Sequence, residues 1–216
     1  MPTDTPEPVL APPHAPARRV ALLVRMAWYV PMLVGMLVTN RRAVVRADVA
    51  RWVAVVRPAC PRGWELVALL GGYPEFRTLY CYRLRRGNLA GAALARVLAV
   101  VYPGERTLHL ACSEIGPGLF IQHGFATIVA ASRVGANCWI NQQVTIGFDR
   151  PGARPVLGDG VSVHAGAKVL GAVTVGDGAR IGANAVVLHD VPAGSTAVGV
   201  PARILPPKAQ RAGHGD

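Results

Sequence analysis

The chain has 216 residues, of which 51% are hydrophobic and 16% are charged. This length is enough to bury the core of one or two domains, and the composition excludes an intrinsically disordered chain, which requires low hydrophobicity and high charge. The net charge of +11 is uneven, because residues 1–107 carry 15 arginines against six acids whereas the rest of the chain carries eight basic side chains against six acids. No nucleic-acid-binding motif accompanies this charge, so we predict no nucleic acid partner.

The N-terminal region begins with a segment rich in proline, residues 1–17, which we predict to be a disordered tail. An apolar run over residues 20–39 follows and is long enough to span a bilayer, but Arg25 and Pro31 interrupt it. Three interpretations stay open: a helix that is buried or contacts another subunit, a helix on the membrane surface, and a true membrane span. We therefore expect a cytoplasmic protein, with peripheral attachment to the inner membrane as the alternative.

Residues 18–107 are predicted to form an α-helical domain. Apolar residues recur at three- and four-residue spacing in ADVARWVAVV (residues 47–56), as on one face of a helix. The segment Tyr73–Arg86 is aromatic on one side and basic on the other, which indicates a helix packed beneath the next domain.

Four cysteines are spread along the chain without any CxxC pair, namely Cys60, Cys81, Cys112 and Cys138. This spacing is typical neither of a zinc site nor of a disulfide framework, so we predict four reduced thiols and no metal.

From residue 108 to residue 204 large aliphatic residues recur with a period of six. The period fits neither an α-helix nor a long flat strand, but it fits three short strands per triangular coil with the aliphatic side chains stacked inward at a spacing of roughly 4.8 Å. We predict about four such coils, with a one-residue slip after Ile121 and a C-terminal tail at residues 205–216. The inward positions are Ile115, Ile121, Ile128, Val134, Ile140, Ile146, Leu157, Val163, Val169, Val175, Ile181 and Val187.

Two local features of the repeat stand out. Ten residues separate Ile146 from Leu157 where five would keep the period, so the sequence predicts an inserted surface loop. Cys138 lies four residues after Val134 and is expected to pack in the core.

Three segments of the repeat region resemble serine acetyltransferases and related sugar O-acetyltransferases of the hexapeptide-repeat superfamily: IGPGLFIQHGFATIV, HAGAK and VPAGSTAVGVPARI. The N-terminal YPEFRTLYCYRL is similar to a serine acetyltransferase-like branch that serves polysaccharide biosynthesis. The resemblance implies a left-handed parallel β-helix, a homotrimer with active sites between subunits, acetyl-CoA as donor and a hydroxyl group as acceptor.

His123 lies in IQHGFATIV and matches the catalytic histidine of that family, which implies that it is the general base. A hydroxyl is a poor nucleophile until its proton is removed, and imidazole is suited to this task near neutral pH. The family's orienting aspartate aligns with Leu108, so another group must hold the histidine. Glu105, His109, Glu114 and a backbone carbonyl are the candidates, and we retain Glu114 as the second catalytic residue.

The acceptor site departs from the family pattern. Gln122 stands where the family has an acid, and Ala153 and Arg154 align with its Arg-His pair. Arg154 is suited to a carboxylate, but we identify no acid for an ammonium group. We therefore predict a sugar, glycan or natural-product hydroxyl as acceptor, contacted by Gln122, Asn141, Gln142 and Arg154. L-serine, as in cysteine biosynthesis, is the alternative, and a non-catalytic β-helix scaffold is the second.

The donor requires a groove lined by small residues, in which pantetheine bonds to main-chain groups. The resemblance assigns this role to Ala165, Gly166 and Ala183. Arg203, and beyond it Lys208, would meet the nucleotide phosphates of acetyl-CoA.

Overall fold

The computed structural model describes residue 24 and residues 26–207. The predicted tail at residues 1–17 and the last nine residues lie outside the described residues, as does part of the apolar run that begins at residue 20. The chain forms helices first and then a parallel β-helix, which confirms the predicted fold class. The helical elements are a 3-10 turn (Val30–Leu33), α1 (Val34–Val38), α2 (Arg42–Val56), α3 (Glu65–Gly72), α4 (Pro74–Arg85) and α5 (Leu89–Val101).

The described part of the apolar run is helical but is not one regular α-helix. Residues 26–29 are α-helical, the 3-10 turn that contains Pro31 follows, and α1 ends before the extended backbone of Thr39. The 3-10 turn packs on α4, where the Tyr80 hydroxyl donates a hydrogen bond of 2.8 Å to the carbonyl of Met32. Within the described part of the chain, no helix is both long enough and apolar enough to cross a bilayer.

The β-helix consists of three sheets that the chain visits in turn. Sheet A contains β1, β4, β7, β10 and β13, sheet B contains β2, β5, β8 and β11, and sheet C contains β3, β6, β9, β12 and β14, with β15 added antiparallel. The strands are β1 (Leu108–Leu110), β2 (Glu114–Ile115), β3 (Phe120–Ile121), β4 (Thr127–Val129), β5 (Arg133–Val134), β6 (Trp139–Ile140), β7 (Thr145–Gly147), β8 (Val156–Leu157), β9 (Ser162–Val163), β10 (Lys168–Leu170), β11 (Thr174–Val175), β12 (Arg180–Ile181), β13 (Val186–Val187), β14 (Thr196–Val198) and β15 (Arg203–Leu205).

The repeat aliphatics stack as predicted, since residues such as Ile140, Val163 and Ile181 occupy equivalent places in successive coils and are fully buried. Cys138 is also buried, and its burial raises the pKa of the thiol to about 11, so it stays protonated near neutral pH. All four cysteines are free thiols. Sheet A has five strands, so the prism has five coils instead of the predicted four, because β1 precedes the first inward position that we counted, and the Val191 bridge and β14 follow the last one.

One predicted inward residue points outward. Ile128 is 43% exposed, whereas its neighbours Thr127 and Val129 are fully buried. Val129 pairs in register with Ile146, so Val129 is the true inward residue of this strand. The chain therefore takes eight residues, not the seven that we predicted, to pass from Ile121 to the next inward position.

The helices cover the first coils of the β-helix through a dense contact. Trp52 of α2 is buried between Phe76 of α4 and Phe120 of β3, with ring centroids 5.2 and 4.6 Å away, and its indole N–H donates to the carbonyl of Leu119. The segment that we predicted to pack beneath the β-helix thus does so as α4, whose apolar face is buried.

Candidate active site

The candidate site lies along one edge of the prism, where sheet C turns into sheet A. Four successive corners stack there, and backbone hydrogen bonds join them: Gln143 N–H to Phe125 O at 3.0 Å, Gly166 N–H to Gln142 O at 3.1 Å, and Asn184 N–H to Ala165 O at 2.9 Å. The structure brings most of the predicted site residues to this edge, namely Gln122, His123, Asn141, Gln142, Ala165, Gly166 and Ala183.

The corner that carries His123 is wider than the others, because it contains the extra residues between Ile121 and Val129. His123 and Ala126 both have left-handed backbones, with φ of 54° and 52°, a conformation that is uncommon for residues other than glycine. The bulge leaves the His123 side chain exposed at the surface of the prism. The sequence predicted an irregular coil here but underestimated its size.

The backbone of Gly124 is closely packed at this corner. A Cβ atom at this position would lie 2.8 Å from Ile121 Cγ2, 3.1 Å from Glu75 Cγ and 3.2 Å from Leu108 Cδ2. Leu108, which aligns with the family's orienting aspartate, is therefore buried and packs against the His123 corner. Its apolar side chain cannot form a hydrogen bond with His123.

A cavity of about 270 Å³ opens beside His123, between the β-helix and helices α2 and α4. Its polar lining comes from Gln122, His123 and Glu75. Most of its remaining wall is aromatic, consisting of Trp52, Tyr73, Phe120 and Trp139.

The predicted polar residues Asn141 and Gln142 differ in their contacts. The Oδ1 atom of Asn141 already accepts a hydrogen bond of 2.7 Å from the indole N–H of Trp139. The Oε1 atom of Gln142 is buried and has no hydrogen-bond partner among the described residues. An unpaired buried acceptor is costly, so Gln142 is available to accept a hydrogen bond from a ligand.

None of the three predicted partners of His123 lines its cavity. Glu114 begins β2 on sheet B, where it faces Arg133 at 4.0 Å with both side chains exposed, so a single chain does not bring it to His123. Glu105 accepts hydrogen bonds from the backbone and hydroxyl of Thr107, which lower the pKa of its carboxyl. His109 lies on β1 in a separate, arginine-lined cavity of about 670 Å³.

The two predicted arginines also lie away from the His123 corner. Arg154 belongs to the loop between β7 and β8, where it stacks over Phe148 and donates to the carbonyl of Ala111. This loop is the predicted insertion, and it leaves the prism at the edge between sheets A and B. Arg203 is exposed on β15 beyond the last coil of sheet C, while Lys208 lies outside the described residues.

Sequence reasoning did not predict Glu75 or the aromatic wall. The segment YPEFR is visible in the sequence, but only the packing of α4 against the β3–β4 corner places Glu75 beside a residue so distant along the chain. In the described part of the chain, no group of three His, Cys, Asp or Glu side chains is arranged to hold a metal ion.

The sequence profile of the family described as bacterial transferase hexapeptide (six repeats) matches residues 154–189. The serine acetyltransferase of Helicobacter pylori strain J99 is 40% identical over 163 residues, which cover 68% of this chain and 89% of the relative. The serine acetyltransferase of Synechococcus elongatus is 37% identical over the same length, covering 68% of this chain and 62% of that relative.

Solved structures agree with these sequence relatives. The crystal structure of Neisseria gonorrhoeae serine acetyltransferase matches with a TM-score of 0.62 and 29% identity, covering 78% of this chain and 67% of that one. Soybean serine acetyltransferase complexed with serine matches with a TM-score of 0.58 and 32% identity, covering 77% and 70%.

Proposed function

We propose that this chain transfers the acetyl group of acetyl-CoA to the hydroxyl of L-serine, since it belongs to the serine acetyltransferase family and is an acyltransferase. The observation that carries this proposal is the single edge that presents an exposed histidine, an amide oxygen without a hydrogen-bond partner among the described residues, and a column of small residues. His123, Gln142, Gly166 and Ala183 mark its successive corners.

In the proposed reaction His123 acts as the general base. It accepts the proton of the acceptor hydroxyl while that oxygen attacks the thioester carbon of acetyl-CoA. The resulting tetrahedral intermediate collapses with cleavage of the carbon–sulfur bond, and the departing thiolate takes the proton from the imidazolium. The products are an acetyl ester and free CoA.

The donor would lie along the same edge, beyond the His123 corner. Ala165, Gly166 and Ala183 carry little or no side chain, so pantetheine can approach the main chain closely there, and Gln142 Oε1 can accept one of its amide N–H groups. Arg203, which is exposed beyond the last coil of sheet C, would bind the phosphates.

We also propose a homotrimer with active sites between subunits. Arg154 and Glu114 lie on faces of the prism away from the His123 edge, so they would reach an active site only across a contact between subunits. The proposed roles of Arg154 in acceptor binding and of Glu114 as the partner of His123 therefore depend on the trimer.

The choice of serine departs from the acceptor that we predicted from the sequence. Gln122 and Ala153 favoured a sugar, glycan or natural-product hydroxyl, whereas the names of the relatives support serine. A sugar hydroxyl remains the second candidate, because the aromatic wall formed by Trp52, Tyr73 and Trp139 offers the flat apolar faces on which a sugar ring can pack.

The test is the release of free thiol from acetyl-CoA in the presence of L-serine, homoserine and a set of hexoses and amino sugars. The proposal expects the highest kcat/KM with L-serine. A clear preference for a hexose would replace serine by the second candidate, and acetyl-CoA binding without turnover on any acceptor would establish a non-catalytic scaffold.

A further inference from the structure

The inference concerns how the acceptor's amino group is bound, and it rests on the proposed function. Serine carries an ammonium group, and a desolvated cation is expensive unless an anion or an aromatic face compensates it. Gln122, which is next to the catalytic histidine, is neutral. The sequence alone identifies no acid for this task.

The cavity beside His123 contains such an acid. Glu75 lies in the first turn of α4, and its Cγ atom is 3.1 Å from the point where a Cβ on Gly124 would lie, so its stem packs against the His123 corner. It is the only carboxylate among the described residues that line the cavity. Glu75 is partly buried, and within the described part of the chain its carboxylate makes no hydrogen bond or ion pair.

The surroundings of Glu75 suit a small cation. Trp52, Tyr73 and Trp139 line the wall, and an aromatic ring attracts an ammonium group that lies over its face. Arg51 stacks over Trp139, with its guanidinium carbon 5.9 Å from the ring centroid, but Arg51 does not line the cavity. The cavity thus combines one free carboxylate, aromatic faces and a histidine that does not form an ion pair with that carboxylate.

We infer that Glu75 binds the cationic amino group of the acceptor and thereby retains the acceptor in the cavity beside His123. This makes Glu75 a specificity-determining residue, since it selects hydroxyl compounds that also carry an amino group over those that do not. The amino group and the hydroxyl would lie between Glu75 and His123, which line one cavity without a hydrogen bond or ion pair between them.

The inference is tested by equilibrium binding and by kinetics of Glu75→Gln. Titration calorimetry should show a Kd for L-serine at least about tenfold higher than in the wild type, because removing one partner of a desolvated charge pair mainly weakens binding. The KM for L-serine should rise in parallel, while kcat at saturation and the Kd for CoA should change by less than about threefold. Glycerate, in which a hydroxyl replaces the amino group, should bind equally to both proteins.

Glu65→Gln is the matched control. Glu65 is also a partly buried acid in the first turn of a helix, α3, but it does not line the cavity. A general effect on helix stability would appear in both variants. An unchanged Kd for L-serine in Glu75→Gln overturns the inference, and so does a wild-type protein that binds no amine. A loss confined to kcat also overturns it, because it would indicate that Glu75 acts on His123 and not on the acceptor.

The two proposals fail in different ways. If the protein acetylates L-serine and Glu75→Gln does not change the KM, the proposed function is supported and the role of Glu75 is wrong. If Glu75→Gln weakens the binding of L-serine but the protein does not acetylate L-serine, the role of Glu75 is supported and the proposed function is wrong.

Discussion

At the scale of single residues, the candidate site depends on the corner that holds His123 outside the prism. The left-handed backbones of His123 and Ala126 and the close packing around Gly124 fix its shape. The period of the sequence predicted a slip at this point but placed Ile128 inside. Ile128 and Val129 are both aliphatic, so the sequence does not show which of them points inward. The pairing of Val129 with Ile146 in the structure identifies Val129 as the inward residue.

Gly124→Ala is predicted to impair catalysis by displacing the His123 corner. The added methyl would lie 2.8 Å from Ile121 Cγ2 and 3.1 Å from Glu75 Cγ, and overpacking of this kind costs about 1–3 kcal/mol. We expect kcat/KM for L-serine to fall at least about tenfold, measured by thiol release. Gly147→Ala is the control, because its nearest neighbour would be 3.9 Å away at Thr145 Cγ2, and an equal loss in both variants would contradict the prediction.

At the scale of elements, a buried ion pair attaches the helices to the β-helix. Arg83 of α4 and Asp48 of α2 bond at 2.8 and 3.1 Å, and both side chains are almost fully buried. Asp48 also accepts from the backbone N–H of Gly118, and Arg83 donates to the carbonyl of Gly116 at 2.7 Å. The pair therefore fixes α2 and α4, which carry Trp52 and Glu75, over the first coils.

Asp48→Asn is predicted to lower the free energy of unfolding by about 3–5 kcal/mol, because it leaves the Arg83 guanidinium buried without a counter-charge. Urea denaturation measures this change. The control is Glu114→Gln, which removes the exposed pair with Arg133 and should cost at most about 1 kcal/mol. A similar loss in the two variants would mean that the buried pair does not join these elements.

Elements with a strong period were predictable from the sequence, whereas their contacts were not. Inward aliphatics such as Val163 and Ile181 repeat because each coil must bury the same position, so the sequence displays the β-helix directly. The run at residues 20–39 suggested one regular helix, yet its described part, which is helical from residue 26 to residue 38, changes to a 3-10 turn at Pro31. Glu75 shares a cavity with His123 only because α4 packs against the β-helix, and no local sequence pattern predicts that packing.

At the scale of the whole molecule, one edge of the prism is proposed to carry the function, although the other edges have similar repeat sequences. Ala183 is exposed at the corner between sheets C and A, whereas Ala193 is exposed at the corner between sheets B and C. Ala183→Leu should raise the KM for acetyl-CoA at least about tenfold, or about 1.4 kcal/mol, by filling the donor groove. Ala193→Leu should leave that KM unchanged, and equal effects would show that the donor does not bind at the proposed edge.

The most direct measurement of the central claim is the rate of acceptor-dependent thiol release by His123→Ala beside His189→Ala. His189 is an exposed histidine of the same β-helix, but it follows β13 on a different edge. Loss of a general base typically lowers the rate by about 10²–10⁴-fold. We predict a fall of at least about 10²-fold in kcat for His123→Ala with its melting temperature preserved, and a full rate for His189→Ala. A full rate in His123→Ala would contradict the account.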